Sequence, residues 1–275
     1  MTILVTGATG NVGRHVVAGL LAAGAPVRAL TRDRAAAKIP SAAEVVEGDL
    51  DRPSTLTEAL TGAERMYLFP APDTAREIVA MAKAAGVHRI VVLSSDSVTD
   101  GDDPDFHAPV EAAVEESGLE WTHVRPGEFA VNKIDFWGRS IRAEGLARVA
   151  YPDARGAPAH EADVAAVAVA ALLEDGHAGR AYGVSGPELL TQREQVRAIG
   201  QGIGREIECV EVSREQARKD LVGQGVPGFA ADHMLGFLAR WMDRPPRVHP
   251  TVTEVTGRPA RGLAEWATDH APDFR

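Results

Sequence analysis

The stretch that decides the fold is Thr6-Gly7-Ala8-Thr9-Gly10-Asn11-Val12-Gly13. It directly follows a run of strand-forming residues, Thr2–Thr6, and it opens an alanine- and valine-rich segment, Val12–Ala23, that stops at Gly24 as a helix does. Three glycines at this spacing, placed between a strand and a helix, are typical of a turn that receives a pyrophosphate. We therefore predict a dinucleotide-binding turn at the beginning of the chain.

Each glycine of this turn has a physical task. Gly7 permits the tight turn, Gly10 lets the backbone approach a pyrophosphate, and Gly13 lets the helix lie close to the strand. The start of the helix then presents free N–H groups and a partial positive charge to the phosphates. The residues that we expect to hold the phosphates are Gly7, Thr9, Gly10, Asn11, Val12 and Gly13.

Beyond this turn, short β-branched runs alternate with helical segments as far as Val124. The predicted strands are Thr2–Thr6, Pro26–Leu30, Glu44–Val46, Arg65–Phe69, Arg89–Leu93 and Glu120–Val124. The predicted helices between them are Val12–Ala23, Arg34–Lys38, Pro53–Leu60, Asp73–Ala85 and Phe106–Ser117. This alternation predicts an α/β fold with a Rossmann-like, doubly wound parallel sheet.

The pattern loosens after Pro126-Gly127. We expect residues 1–130 to form the nucleotide-binding domain and residues 131–275 a smaller substrate-binding lobe, with interleaved elements that return to the sheet. The predicted strands in this part are Gly145–Ala150, Ala181–Ser185 and Glu206–Val212; the helices are Asp163–Leu173, Gln192–Ile203, one that begins at Ser213, and Phe229–Met242.

Composition excludes several classes of protein. The chain has 275 residues, 45% hydrophobic and 25% charged, which is ordinary for a globular protein. It has no apolar run of membrane-spanning length and no signal peptide, and its single cysteine, Cys209, cannot form an internal disulfide. We therefore expect a cytoplasmic protein without a membrane partner. The net charge of −10 argues against a nucleic-acid partner.

The choice of nucleotide depends on the end of the second strand, which reads Thr31-Arg32-Asp33. An arginine at this place pairs with a 2′-phosphate, whereas an acidic residue accepts hydrogen bonds from a ribose 2′-OH. Arg32 lies about 20 residues beyond the glycines, as expected for this contact. The sequence favours NADP(H), and the adjacent Asp33 keeps NAD(H) open. We expect neither a metal nor a flavin.

The glycine spacing resembles that of the short-chain dehydrogenase/reductase superfamily, in its atypical, NmrA-like branch. Further segments carry the same resemblance: Val91–Ser95, Ser117–Thr122, Arg125–Phe129, Asn132, Thr256–Pro259 and Trp266-Ala267. That branch contains NAD(P)H-dependent quinone and aromatic-ring reductases, isoflavone-reductase-like enzymes, and redox-sensing regulators without turnover. The resemblance implies that Asp49 and Leu50 touch the adenine, and we expect Phe69, Pro70 and Ser94 to contact the dinucleotide as well.

The usual catalytic pair of the superfamily is missing. Its members use a Tyr-x-x-x-Lys motif, which occurs nowhere in this chain. Alignment on Ser94-Ser95 and on Glu111 places Asp96 at the usual hydroxyl position, Asp103 at the tyrosine position and His107 at the lysine position. Our candidate catalytic residues are His107, Ser95 and Asp96, and His107 could equally be a ribose ligand or an ordinary surface residue.

A site without a tyrosine acid restricts the chemistry. Hydride delivery to an ordinary ketone makes a strongly basic alkoxide, whereas a reduced quinone is a phenolate close in acidity to a tyrosine, at about 10. We therefore expect an NADPH-dependent oxidoreductase that reduces a quinone or polycyclic aromatic compound. It could serve aromatic polyketide (antibiotic) biosynthesis as the reductive component of an oxygen-dependent hydroxylation, with a small partner protein. Two alternatives are a non-catalytic NAD(P) sensor and an enone or imine reductase.

The substrate is expected beyond the carboxyl ends of the strands. The candidate substrate-binding residues are Pro72, Phe129, Asn132, Trp137, Phe229, Met234 and Trp241. The last three belong to the late apolar helix, which is either core or a lid over a flat ring, with glycines before it as a hinge. The oligomeric state is open.

Overall fold

Buried runs rich in β-branched residues, such as Arg89–Leu93, form β-strands in this protein. The computed structural model describes all 275 residues. Its strands are β1 (Thr2–Val5), β2 (Val27–Thr31), β3 (Glu44–Glu47), β4 (Ala63–Leu68), β5 (Arg89–Leu93), β6 (Glu120–Pro126), β7 (Leu146–Val149), β8 (Arg155–Gly156), β9 (Arg180–Val184), β10 (Leu190–Thr191) and β11 (Glu208–Glu211). Every residue of β5 is buried, as expected for a central strand covered on both faces.

Seven strands form one parallel sheet in the order β3-β2-β1-β4-β5-β6-β9. The order reverses beside β1, which pairs with β2 on one side (Ile3 opposite Val27) and with β4 on the other (Val5 opposite Tyr67). A crevice for a ligand lies at such a reversal, outside the carboxyl ends of the strands. The prediction of a doubly wound α/β fold is confirmed.

The helices connect many of the strands, and four of them follow the last strand. They are α1 (Gly13–Ala22), α2 (Thr57–Leu60), α3 (Ala75–Ala84), α4 (His107–Glu116), α5 (Arg139–Glu144), α6 (Glu161–Leu173), α7 (Gln192–Ile203), α8 (Arg214–Gly223), α9 (Gly228–Trp241), α10 (Thr251–Thr256) and α11 (Leu263–Asp269). A 3-10 turn, Pro53–Leu56, precedes α2, and a π-helical turn, Ile134–Gly138, precedes α5.

The chain divides into two compact units. The first consists of Met1–Pro126, Glu161–Val184 and Thr251–Arg258, and the second of Gly127–His160, Ser185–Pro250 and Pro259–Arg275. The late segment Glu161–Val184 supplies α6 and β9, so it completes the sheet of the first unit.

In the first unit, helices pack on the sheet as two layers, α1 with α6 and α3 with α4. Gly19 of α1 lies so close to Val169 of α6 that a Cβ there would be 3.0 Å from the valine methyl group. The carboxyl end of α6 is held by two arginines. Arg65 donates to the carbonyl of Leu172, and Arg89 donates to the carbonyl of Glu174 at 2.6 Å, which satisfies orphan groups at a helix end.

The second unit contains two small sheets and two apolar clusters. β7 pairs with β11 in parallel and β8 pairs with β10 in antiparallel register. One cluster includes Trp137, Trp266 and Phe274, and the other joins α8 to α9. Ser213 caps α8 by accepting from the Gln216 N–H at 3.2 Å, as predicted.

The helix predicted at Arg34–Lys38 is wrong. The carboxylate of Asp33 accepts from the N–H groups of Ala35 (2.9 Å) and Ala36 (3.0 Å) and closes a turn instead. A short segment with an aspartate at its head satisfies its backbone locally, so it gains little from a helix. None of the helices is both long enough and apolar enough to cross a membrane.

Candidate nucleotide and catalytic site

The glycine-rich turn has a geometry that only glycine permits. Gly7 has a φ of +59°, and its carbonyl accepts from the N–H of Gly10 at 2.9 Å. A Cβ at Gly13 would lie 2.0 Å from the carbonyl oxygen of Gly7, which is an impossible contact. Helix α1 therefore begins directly against the turn. Thr9, Gly10 and Asn11 are exposed at its tip, where a phosphate would arrive.

The turn is anchored to the neighbouring strand. The hydroxyl of Thr6 donates to the Tyr67 carbonyl at 3.0 Å and accepts from the Phe69 N–H at 2.7 Å. The ring of Phe69 covers Gly7, since a Cβ there would lie 3.0–3.1 Å from the phenylalanine side chain. Phe69 is nevertheless 43% exposed, and Pro70 beside it is buried. An exposed aromatic ring at the end of β4 is available to a bound ligand.

The start of α1 is suited to an anion. Val12 precedes the helix, and no side chain caps it. The partial positive charge of a helix start and its N–H groups therefore face the tip of the turn. Together with the close Gly7–Gly13 contact, this arrangement fits the pyrophosphate of a dinucleotide.

Arg32 and Asp33 differ in the hydrogen bonds that their side chains make within the protein. The Asp33 carboxylate is engaged by two backbone N–H groups of its own turn. Arg32 is exposed and makes no hydrogen bond or ion pair within the protein. The whole guanidinium of Arg32 is therefore available for a 2′-phosphate, whereas one carboxylate oxygen of Asp33 is engaged in its own turn.

The predicted adenine contacts lie at the end of β3 and are half-buried. The carboxylate of Asp49 accepts from the Asp51 N–H at 3.1 Å and from Arg52 Nε at 3.2 Å. The carbonyl of Leu50 accepts from the Thr74 hydroxyl at 2.8 Å. These bonds fix the loop in one conformation and leave the Leu50 side chain as an apolar contact surface.

Ser94 belongs to a buried network rather than to an open surface. Its hydroxyl donates to the Glu111 carboxylate. Arg125 also donates to that carboxylate, with its Nε 2.9 Å from Glu111 Oε1. Burial raises the pKa of Glu111, but the hydrogen bonds from Arg125 and Ser94 outweigh burial, so the pKa lies below its ordinary value. This network ties α4 to β5 and β6, and it uses the Ser94 hydroxyl internally.

A second polar chain follows β5 and contains two of the predicted catalytic residues. The Ser95 hydroxyl is 2.6 Å from the Ser97 hydroxyl, which donates to Asp103 Oδ2 at 3.3 Å. The same carboxylate oxygen bonds Nδ1 of His107. Hydrogen bonds therefore connect Ser95 to His107 through Ser97 and Asp103, and His107 keeps 21% of its side chain exposed.

Two members of this chain, Ser97 and Asp103, were not among the predicted catalytic residues, and Asp103 is the one that contacts His107. Burial raises the pKa of Asp103, but hydrogen bonds from the ring and backbone of His107 lower it by more than burial raises it. The pKa of Asp103 therefore lies below its ordinary value. The signal was visible, since Asp103 and His107 are four residues apart, as the tyrosine and lysine are in the usual motif. Asp96 is half-buried and accepts from the Thr99 hydroxyl at 3.1 Å.

The predicted substrate residues do not all come together. Trp137 and Met234 line one cavity of about 560 Å³ in the second unit. Phe129 pairs by its backbone with Ala159, Phe229 is 80% exposed, and Trp241 lies 5.9 Å from the ring of Phe237. Asn132 of the second unit and Pro72 of the first are half-buried. None of these five lines the cavity.

One group of possible metal ligands occurs in the first unit. Glu111, Glu115 and His123 bring donor atoms within 4.8 Å of one another. The Glu111 carboxylate is already held by Arg125 and Ser94, and His123 Nε2 lies 3.1 Å from Glu115. A cation there would compete with the Arg125 guanidinium, so the group is better described as a hydrogen-bonded cluster.

The chain is similar to known reductases over its whole length. A model of the NAD(P)H-binding family matches residues 7–175. The chain is 40% identical over 280 residues to a (4-alkanoyl-5-oxo-2,5-dihydrofuran-3-yl)methyl phosphate reductase of Streptomyces griseus, with 99% of each chain covered. It is 36% identical over 297 residues to an NAD(P)H azoreductase of Xenophilus azovorans, again with 99% of each covered.

A solved structure agrees with these matches. The NADPH-dependent quinone oxidoreductase of Escherichia coli has the same fold, with a TM-score of 0.80 and 26% sequence identity. The similarity covers 98% of this chain and 99% of that one. The glycine turn lies inside the matched family region, and its geometry fits the nucleotide that such proteins bind.

Proposed function

We propose a function for this chain, which belongs to the NAD(P)H-binding family, in the NmrA-like group of atypical short-chain dehydrogenases/reductases, and is an NAD(P)H-dependent oxidoreductase. It uses NADPH to reduce quinones and similar electron-poor conjugated carbonyl or polycyclic aromatic compounds. Bound NADPH supplies the hydride. The protein binds and orients both rings and delivers a proton.

The proposed preference for NADPH rests on the contrast between two neighbouring side chains. Asp33 closes its own turn by accepting from two backbone N–H groups at Oδ1, so one oxygen of its carboxylate is already engaged within the protein. Arg32 has no partner in the protein and is exposed. A guanidinium binds a phosphate ester by charge-assisted hydrogen bonds, which favours the 2′-phosphorylated nucleotide.

The single observation that carries the proposed acceptor class is the hydrogen-bonded chain from Ser95 to His107 in place of a tyrosine and a lysine. Its two ends are the Ser95 hydroxyl and the His107 ring, and it contains no tyrosine phenol. A quinone or a doubly activated enone does not need a tyrosine acid, because its reduced form is a delocalised anion; for a quinone, the conjugate acid of that anion is a phenol with a pKa of about 10. We propose that His107, oriented by Asp103, supplies this proton.

The relatives favour the same class of acceptor. Their names specify a quinone, an azo compound and a dihydrofuranone that carries an alkanoyl group. All three are conjugated systems that stabilise added electrons by delocalisation. The enone alternative from the sequence therefore belongs within this proposed class.

A narrower proposal concerns the biological setting. A reduced quinone or polycyclic ring reacts with oxygen, and an enzyme of this kind could provide the reductive step of an oxygen-dependent hydroxylation in aromatic polyketide biosynthesis. A small partner protein would then complete the hydroxylation. This proposal predicts oxygen consumption when protein, NADPH and a polycyclic quinone are combined, at more than the rate of quinone reoxidation alone.

The proposed function is tested by NADPH oxidation without oxygen. We expect turnover with menadione and with an acyl butenolide, and none above background with cyclohexanone. His107→Gln and Asp103→Asn should lower kcat by about 100-fold, the lower end of what general acid catalysis contributes. His88→Gln, at an exposed histidine of the first unit, is the control and should leave the rate unchanged. Turnover of cyclohexanone without turnover of menadione would overturn the proposal.

A further inference from the structure

An exposed aromatic ring stands at the beginning of α4. Phe106 is 46% exposed, although phenylalanine is among the residues that are most often buried. A single exposed apolar side chain is ordinary on a protein surface and carries no meaning by itself. The position of Phe106 is informative because the residue directly precedes His107, the proposed proton donor.

The ring of Phe106 packs against the ring of His107. The two ring centres are 4.8 Å apart and the ring planes meet at 76°. This is the edge-to-face arrangement that aromatic pairs favour, and it restricts the rotation of the imidazole. A molecule that accepts a proton from His107 therefore binds next to an aromatic side chain, part of which is still exposed.

One carboxylate holds both residues in place. Asp103 Oδ1 accepts from the backbone N–H of Phe106 at 3.2 Å and from that of His107 at 3.1 Å, and Asp103 Oδ2 bonds Nδ1 of His107. The backbone of Phe106 is thus fixed at the start of the helix. Nε2 of His107 makes no hydrogen bond within the protein, so it is the nitrogen that remains for an acceptor.

This pair of rings follows strand β5, which lies beside β4 in the sheet. The residue after β4 is Phe69, the exposed ring that covers the glycine turn. Because the carboxyl ends of parallel neighbours meet at one edge, a ligand of the glycine turn and a ligand of His107 both bind at this edge. An acceptor that bonds Nε2 of His107 has Phe106 as its next aromatic neighbour.

We propose that Phe106 determines specificity by packing against the second ring of a fused-ring quinone while His107 bonds the quinone oxygen. The inference rests on the proposed function and deepens it, because it selects fused bicyclic and polycyclic quinones among the proposed acceptors. A quinone with a single ring would reach His107 and leave Phe106 uncovered.

The test compares menadione, which has a fused benzene ring, with duroquinone, which has one ring. Binding of each quinone to protein loaded with NADP⁺, which has no hydride to give, is measured by equilibrium dialysis. Phe106→Leu should weaken the binding of menadione about three- to tenfold, the contribution of one aromatic pair, and leave the binding of duroquinone unchanged. Phe106→Tyr keeps the ring and should bind both quinones as the wild type does.

Turnover with NADPH in the absence of oxygen gives a second readout. Phe106→Leu should lower kcat/KM about three- to tenfold for menadione and leave it unchanged for duroquinone. A merely structural role, exerted through the orientation of His107, would lower kcat for both quinones equally. Tyr182→Leu is the matched control and should change neither value, because Tyr182 also packs edge-on against a histidine of the first unit, His177, at 5.7 Å.

Three results would overturn the inference: no binding of menadione to the wild-type protein, an unchanged preference for menadione in Phe106→Leu, or an equal loss for both quinones. These results are separable from failure of the proposed function. A protein that oxidises NADPH with menadione equally well as wild type and as Phe106→Leu keeps its function and loses this role of Phe106. A protein that shows the expected pattern of binding and reduces no quinone keeps the ring contact alone.

Discussion

At the scale of single residues, we propose that nucleotide choice depends on Arg32. We expect Arg32→Ala to weaken the binding of NADP⁺ about 10- to 100-fold and to leave the binding of NAD⁺ nearly unchanged, since the guanidinium would contact only the 2′-phosphate. Dissociation constants of both nucleotides, measured by calorimetry, check this. Arg240→Ala, an exposed arginine of the second unit, is the control. An unchanged NADP⁺ to NAD⁺ ratio in Arg32→Ala would contradict the assignment.

Sequence reasoning finds residues whose task is set by local position. The turn formed by the three glycines was predictable because strand, turn and helix are adjacent in the chain. The contact of Arg32 with a 2′-phosphate stays a prediction. Sequence reasoning did not show that Ser94 is buried against Glu111, nor that Gln192 faces Lys133, 59 residues away. Such long-range pairs depend on how elements pack, which no local pattern specifies.

At the scale of elements, the start of α1 depends on the absence of a side chain at Gly13. Gly13→Ala would force a Cβ to within 2.0 Å of the Gly7 carbonyl, so the turn or the helix must shift. We expect nucleotide binding to weaken at least tenfold and the melting temperature to fall. Nucleotide titration and thermal unfolding measure both effects.

Gly236→Ala is the matched control for this prediction. Gly236 lies inside α9, and nothing is within 4 Å of the position its Cβ would occupy. Replacing an unconstrained helical glycine with alanine stabilises a protein by about 0.5–1 kcal/mol. Equal behaviour of the two variants would show that the close contact at Gly13 is unimportant.

The Ser94–Glu111–Arg125 network joins three elements and predicts a pH dependence of stability. The pKa of Glu111 is lower in the folded state than in the unfolded state. Its contribution to the free energy of unfolding is therefore complete above the unfolded-state pKa of about 4.3, and it is lost as the pH falls through the folded-state pKa. Glu111→Gln should lower the free energy of unfolding by about 2 kcal/mol at neutral pH. Urea unfolding from pH 7 to pH 3 should show this difference shrinking below about pH 4.3. A constant difference would contradict the account.

The predicted elements agree with the structure where the signal is local. The helix predicted at Gln192–Ile203 has those bounds, because Thr191 and Glu194 form a capping box that fixes its beginning. The helix predicted at Pro53–Leu60 is a 3-10 turn followed by α2. The two-residue strands β8 and β10 were not predicted, since their pairing depends on residues brought together only by the fold.

At the scale of the whole molecule, the first unit is not contiguous in sequence. Strand β9 pairs with β6, placing Arg180 opposite Thr122, and α6 packs on α1. We expect a fragment of residues 1–130 to lack a cooperative thermal transition, because it loses that strand and the buried face of α6. Joining residues 161–184 to it through a flexible linker should restore one. Cooperative unfolding of the 1–130 fragment alone, followed by circular dichroism, would contradict this.

The central claim is that the protein passes a hydride from NADPH to an electron-poor conjugated acceptor without a tyrosine acid. The most direct measurement is a single turnover without oxygen, in which protein loaded with NADPH, carrying either hydrogen or deuterium at the transferred position, is mixed with menadione. We expect the bound nucleotide to be oxidised, and more slowly when deuterated. No oxidation by menadione, or oxidation by cyclohexanone alone, would contradict the claim.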